Sequence, residues 1–142
     1  NVYGERQNTE GAYCLVMGIF AGQLLKGEPM TINGDGENRR DFTYVGDVVD
    51  ANIRCMDYPL ELNGEAFNIG NGDVFNIGNG DNRSVNQIAN LLSEDGDRIN
   101  RESVIEPKET LANNSKAKKI LGWKPTNKIE NWIIDYKEEM GL

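Results

Sequence analysis

The chain has 142 residues, 38% of them hydrophobic, with a net charge of −8 and no histidine. That length allows one domain or part of one. The acidic balance excludes a nucleic-acid partner, which needs clustered Lys and Arg; no apolar run approaches the ~20 residues that span a bilayer; and without histidine neither a Ser-His nor a Cys-His nucleophile can form.

Glycines numbering 16 offset the modest hydrophobic content, so a folded chain is expected. Gly11 to Gly27 reads as a helix whose Leu15, Ile19, Leu24 and Leu25 share an apolar face, ended by Gly27 and Pro29. Met30 to Asn33 is a short strand, followed by the Gly34-Asp35-Gly36 turn. Phe42 to Val45 is rich in β-formers, and Asp47 is expected to cap a helix reaching about Met56. Ala66 to Ile69 reads as a strand and Val85 to Leu92 as a helix. A polar run from Ser93 to Glu102 leads to a short Val104-Ile105 strand ending at Pro107. Asn114 to Leu121, stopped by Gly122, and about Ile129 to Met140 are the closing helices.

One segment is written twice. Phe67-Asn68-Ile69-Gly70-Asn71-Gly72-Asp73 recurs unchanged as Phe75-Asn76-Ile77-Gly78-Asn79-Gly80-Asp81, a tandem octapeptide over residues 67–82. The offset is even, so either copy can occupy the strand with the same faces inward, leaving the other as a surface loop. Calcium-binding glycine-rich repeats run in nonapeptide arrays, which this pair is not. Cys14 and Cys55 are too few and too far apart for a disulfide framework or zinc. No metal site is expected. Two thiols in a reducing compartment, with no basic and apolar leader at the start, point to the cytoplasm.

Two chemical tests fail. A dinucleotide cradle needs G-x-G-x-x-G between strand and helix, but Arg39, Phe75 and Arg83 stand where the third glycine of each candidate loop belongs. Turn glycines are the better reading. A Tyr with Lys four residues later would place both on one helix face, where the ammonium lowers the phenol's pKa. Tyr3, Tyr13, Tyr44, Tyr58 and Tyr136 are followed at that spacing by Gln7, Met17, Val48, Leu62 and Met140.

Several segments taken together carry a resemblance: Asn1-Val2-Tyr3-Gly4, Ile32-Asn33-Gly34-Asp35-Gly36, Arg39-Arg40-Asp41-Phe42-Thr43-Tyr44-Val45, Phe75-Asn76-Ile77-Gly78-Asn79-Gly80 and Ser115-Lys116-Ala117-Lys118-Lys119-Ile120-Leu121-Gly122-Trp123. In that order they resemble the C-terminal, substrate-binding part of an NAD-dependent nucleotide-sugar epimerase/dehydratase of the extended short-chain dehydrogenase type. The resemblance leans toward UDP-glucose or UDP-N-acetylglucosamine 4-epimerases; a dehydratase of a dTDP- or GDP-sugar is the closest rival.

It implies an α/β fold: the C-terminal lobe of the extended short-chain dehydrogenase fold, lacking most of the Rossmann domain, as one partial domain over residues 1–142. The first residues would end the sixth sheet strand and Ala66 to Ile69, or its copy, would form the seventh. NAD belongs to the intact family enzyme, where it oxidises a sugar carbon and returns hydride to the other face; none is expected on this chain alone, nor any catalytic residue.

The resemblance assigns substrate contacts residue by residue. Arg40 would reach the diphosphate, where a guanidinium fork suits phosphate oxygens. Asn1 would approach the same diphosphate. Asn33, and with it Gly34, would lie beside the base. Met17 corresponds to backbone lining that pocket, although a helix-core role explains it equally well. A second family Arg is replaced, with Val104 standing at its place and Arg101 and Lys108 nearby but offset. One acid is also lost, at Asn113. Three readings of the whole stay open: the binding portion of a 4-epimerase, a fragment of a 4,6-dehydratase, or a free-standing nucleotide-sugar module without turnover. An open strand edge makes self-association possible.

Overall fold

A computed structural model describes residues 1–59 and 77–142. The first strand, β1 (Val2–Tyr3), leads through a loop to helix α1 (Val16–Leu25). The helix starts later than the apolar pattern suggests, because Gly11 takes a φ of 106° and the Cys14 N–H bonds the Gly11 carbonyl in a turn. Its buried face is Met17, Phe20 and Ala21, with Leu24 partly buried, a regular i, i+3, i+4, i+7 stripe. Ile19 and Leu25 are exposed instead. Gly18 and Gly22 let the chain at Asn8 and Thr9 cross the helix closely; a Cβ at Gly18 would collide with the Asn8 carbonyl oxygen. The helix ends in a Schellman pair, Gly27 N–H to Leu24 and Glu28 N–H to Gln23, with Gly27 left-handed.

Next come β2 (Met30–Asn33), β3 (Arg39–Asp41), β4 (Thr43–Tyr44) and α2 (Val45–Met56). Tyr44, not Asp47, is the N-cap of α2, and no side chain caps it. Asp47 turns inward, where its carboxylate accepts the Thr126 hydroxyl at 2.6 Å and the Thr126 N–H at 3.0 Å. The expected strand at Ala66 to Ile69 and the first octapeptide copy fall outside the described residues.

Beyond them, β5 (Asn82–Ser84) feeds α3 (Val85–Leu92). Ser84 and Gln87 form a reciprocal capping box that sets this helix start. The polar run then holds a strand, β6 (Arg98–Arg101), while Val104 and Ile105 lie exposed outside any strand. Apolar pattern alone could not find β6, because Ile99 is its single apolar residue and is itself exposed. Helices α4 (Ser115–Leu121) and α5 (Ile129–Met140) close the chain, each followed by a left-handed glycine, Gly122 and Gly141.

Among the described residues the strands pair in twos: β1 with β4 and β2 with β6 in parallel, β3 with β5 antiparallel. The main core lies between α1, α3, α5 and β2, and gathers Met17, Phe20, Met30, Ile32, Ile88, Leu92 and Ile133 around an aromatic stack. In that stack Trp132 lies 4.5 Å from Tyr136 and 5.1 Å from Tyr3 between ring centroids. A second, smaller core packs Ala51, Ala117 and Leu121 on fully buried Trp123.

Candidate functional site

The register of two strand pairs assembles a polar cavity of about 430 Å³. The β2–β6 pairing sets Asn33 opposite Arg101 at the ends of both strands. The β1–β4 pairing is extended by the Thr43 N–H bonding the Asn1 carbonyl, which holds Asn1 beside β3 and its Arg40. The opposite wall is the face of α1 carrying Val16, Ile19 and Gln23. Gln23 is clamped to β2: its amide donates to the Thr31 hydroxyl at 2.9 Å and its oxygen accepts the Thr31 N–H at 3.1 Å.

Arg40 is the cation held there by two hydrogen bonds. Its side chain is only 13% exposed, Nη1 donates to the Arg39 carbonyl at 2.8 Å, and Nη2 donates to Glu106 at 2.6 Å. Glu106 is held in turn by the Asn38 amide at 2.7 Å. The carboxylate therefore fixes the guanidinium by one edge, a charge-assisted bond that keeps the fork in place. The cavity lining carries two cations, Arg40 and Arg101, three carboxamides, Asn1, Gln23 and Asn33, and the Glu106 carboxylate that pairs with Arg40.

Of the residues singled out from the sequence, Asn1, Asn33 and Arg40 line this cavity together. Met17 is 1% exposed within the main core and Gly34 forms the turn after β2, neither lining the cavity. Gly34 takes a φ of 63°, and its N–H bonds the Arg101 carbonyl at 3.0 Å. Val104 is exposed away from the cavity, whereas Arg101 lines it. Glu106, Gln23 and Thr31 are the contributors that sequence reasoning passed over; Arg101, noted from the sequence only as near the place of the family's second Arg, is brought there by the long-range pairing of β6.

A smaller cavity of about 260 Å³ adjoins along the stretch after β1, lined by Tyr3, Glu5, Arg6, Gln7, Tyr13 and Val45 among others. The Glu5 carboxylate accepts the Tyr44 hydroxyl at 2.9 Å. Backbone hydrogen bonding and that hydroxyl hold Glu5 below the usual carboxylate range, and the same bond raises the Tyr44 phenol. Burial pushes the Cys14 and Cys55 thiols up, so neither is an activated nucleophile.

Among the described residues, the Gly34-Asp35-Gly36 turn lacks the form of a dinucleotide cradle. After β2 the Gly34-Asp35-Gly36 turn runs into β3, not into a helix N-terminus, and the side chain of Asn86 fills the space a Cβ on Gly36 would take. Among the described residues no three His, Cys, Asp or Glu side chains gather to hold a metal ion, and no helix is long and apolar enough to cross a membrane.

Residues 1–70 match the NAD dependent epimerase/dehydratase family. A putative UDP-glucose 4-epimerase of Methanocaldococcus jannaschii is 31% identical over 94% of this chain and 43% of its own. UDP-glucuronic acid decarboxylase 3 of Arabidopsis thaliana is 30% identical over all of this chain and 39% of its own. The crystal structure of UDP-glucose 4-epimerase from Thermotoga maritima with UDP-glucose is 34% identical, with a TM-score of 0.81 over 100% of this chain and 45% of that one. The chain thus spans less than half the length of each of these relatives. Its fold is that of the corresponding part of extended short-chain dehydrogenase epimerases.

Proposed function

On the premise that the chain belongs to the NAD dependent epimerase/dehydratase family, we propose that it is the nucleotide-sugar-binding portion of a cytoplasmic UDP-sugar 4-epimerase, a single partial domain without turnover of its own. The observation that carries this is Arg40, held on the wall of a cavity that also gathers Asn1, Asn33 and Arg101. A diphosphate set there meets a fork already fixed by Glu106, so little side-chain entropy is lost on binding. Asn33 and Arg101 stand at one end of the cavity for the nucleoside, and the sugar extends toward the smaller cavity.

Chemistry is a separate matter. The chain has neither a glycine cradle nor a Tyr–Lys pair at helix spacing, so hydride transfer is assigned to other residues of the intact enzyme. A free-standing binding module is the second reading, favoured by the same two missing elements. Calorimetric titration with UDP-glucose tests what both share: saturable binding is expected, and its absence would remove both. Incubation with NAD and UDP-glucose is expected to give no UDP-galactose; turnover above a buffer blank would refute the claim of inactivity.

A further inference from the structure

We propose that the repeated octapeptide gives this chain two interchangeable registers: the seat formed by Asp41, Ala112 and Asn114 accepts Ile69 to Gly72 as well as Ile77 to Gly80, with a slip of one repeat between them. In the described register the seat holds the second copy. The Asp41 carboxylate accepts the N–H of Asn79 at 2.7 Å and that of Gly80 at 2.9 Å, and the Asn114 amide donates to the Gly78 carbonyl at 2.8 Å. Ile77 packs on the small core around Trp123. Gly80 holds a left-handed φ of 74°, and a Cβ on Gly78 would collide with the Ala112 methyl and come within 3.0 Å of the Asp41 carboxylate. The seat therefore demands an isoleucine, two glycines and free backbone groups between them.

The first copy supplies the same list. Ile69, Gly70, Asn71 and Gly72 match Ile77, Gly78, Asn79 and Gly80 one for one. Every donor, acceptor and bare Cα that the seat uses recurs one repeat earlier, and the even offset keeps the same faces inward. The seat itself is held from elsewhere. Asp41 is the last residue of β3, paired with β5, and also accepts the Ala112 N–H at 3.1 Å. Asn114 is the buried N-cap of α4.

The two registers differ in where the slack lies. With the second copy seated, residues 57–76 connect α2 to the seat. With the first copy seated, residues 57–68 make that connection and residues 73–81 close as a loop before β5. Shortening the first connection returns a little closure entropy, and closing the second loop costs more. The second-copy register is the favoured one and the first-copy register is its reserve.

Thermal melts test this on wild type, Gly78→Val, Gly70→Val, the double variant, and Gly70→Val in the single-copy chain left by deleting Val74 to Asp81. Valine suits the purpose because Gly78 is not left-handed, so it adds a collision and no backbone strain. Gly70→Val is expected to melt within about 2 °C of wild type. Gly78→Val is expected to melt about 5–10 °C lower, the shift that closing the extra loop produces in a chain of this size. The double variant spoils both copies and is expected to melt at least about 15 °C lower, or to show no cooperative transition. In the single-copy chain, Gly70→Val alone is expected to be as damaging as the double. A Gly78→Val protein that melts as low as the double, or fails to fold, would overturn the proposal, because the first copy would then be unable to take the seat. A double variant melting at the sum of the two single shifts would overturn it too, and so would a mild effect of Gly70→Val in the single-copy chain.

Discussion

The two cores of this molecule are held together by different means. The larger is apolar and aromatic throughout, with Phe20, Met30, Ile88 and Trp132 drawn from three helices and a strand. The smaller has one large side chain, Trp123, and is tied by buried polar groups. Trp123 donates its indole N–H to the Asp47 carbonyl at 2.9 Å, while the Asp47 carboxylate collects Thr126. Asp41, nearby in the chain, does the same for another junction, accepting the N–H groups of Asn79 at 2.7 Å, Gly80 at 2.9 Å and Ala112 at 3.1 Å. Where apolar volume runs short, a carboxylate satisfied by backbone donors takes over the joining of loops. Helix α2, between them, buries Asp47 and Ala51 and exposes Val49, Ile53 and Met56, the reverse of an ordinary surface helix. That exposed stripe is the surface on which self-association of the isolated chain would be sought.

The largest effect is expected in the apolar core. Trp132→Ala removes the ring between Tyr3 and Tyr136 and should cost about 3–5 kcal/mol, enough to abolish the cooperative melt of a marginal chain. A loss below 1 kcal/mol, read from urea unfolding, would mean that the aromatic stack is not the centre of stability. In the polar core, Asp47→Ala leaves the Thr126 N–H and hydroxyl without their acceptor and should cost about 2–3 kcal/mol. Asp47→Asn should recover part of it, because an amide oxygen still accepts. Equal melts for wild type and Asp47→Ala would erase the distinction between the two cores.

The duplicated octapeptide gives the smallest effect. Within the second copy, Gly78, Asn79 and Gly80 lie against Asp41 and Asn114, whose amide donates to the Gly78 carbonyl at 2.8 Å. Deleting Val74 to Asp81 rejoins Asp73 to Asn82, so that the identical Gly70-Asn71-Gly72-Asp73 precedes Asn82, with inward faces kept because the length is even. The change in stability should stay within about 1 kcal/mol. Loss of the melting transition would show that both copies are structural.

How much was readable in advance follows from which forces are local. Helix α3 was placed to the residue, since its start is written in Ser84 and Gln87 and its face in Ile88 and Leu92. Helix α5 likewise follows its Trp132, Ile133 and Tyr136 stripe. The apolar pattern makes helix α1 too long, because the turn at Gly11 has no apolar signature. Strand β6 was missed and a strand at Val104 wrongly expected, because β6 owes its conformation to pairing with the distant β2 and not to its own side chains. The same long-range pairing is what carries Arg101, offset in the sequence from the family's second Arg, into the cavity. Asn1, Asn33 and Arg40 were reached through the family resemblance, while Glu106, which orients Arg40, became visible only in the folded chain.

The central claim is that Arg40 holds the phosphates of a UDP-sugar, and titration of UDP-glucose into wild type, Arg40→Ala and Arg54→Ala tests it most directly. Arg54 pairs with Asp50 on the surface of α2 and serves as a charge-matched control. A charge-assisted fork on phosphate is worth about 1.5–3 kcal/mol, so Arg40→Ala should weaken binding at least about tenfold while Arg54→Ala leaves it unchanged. Equal affinities in all three proteins would contradict the account.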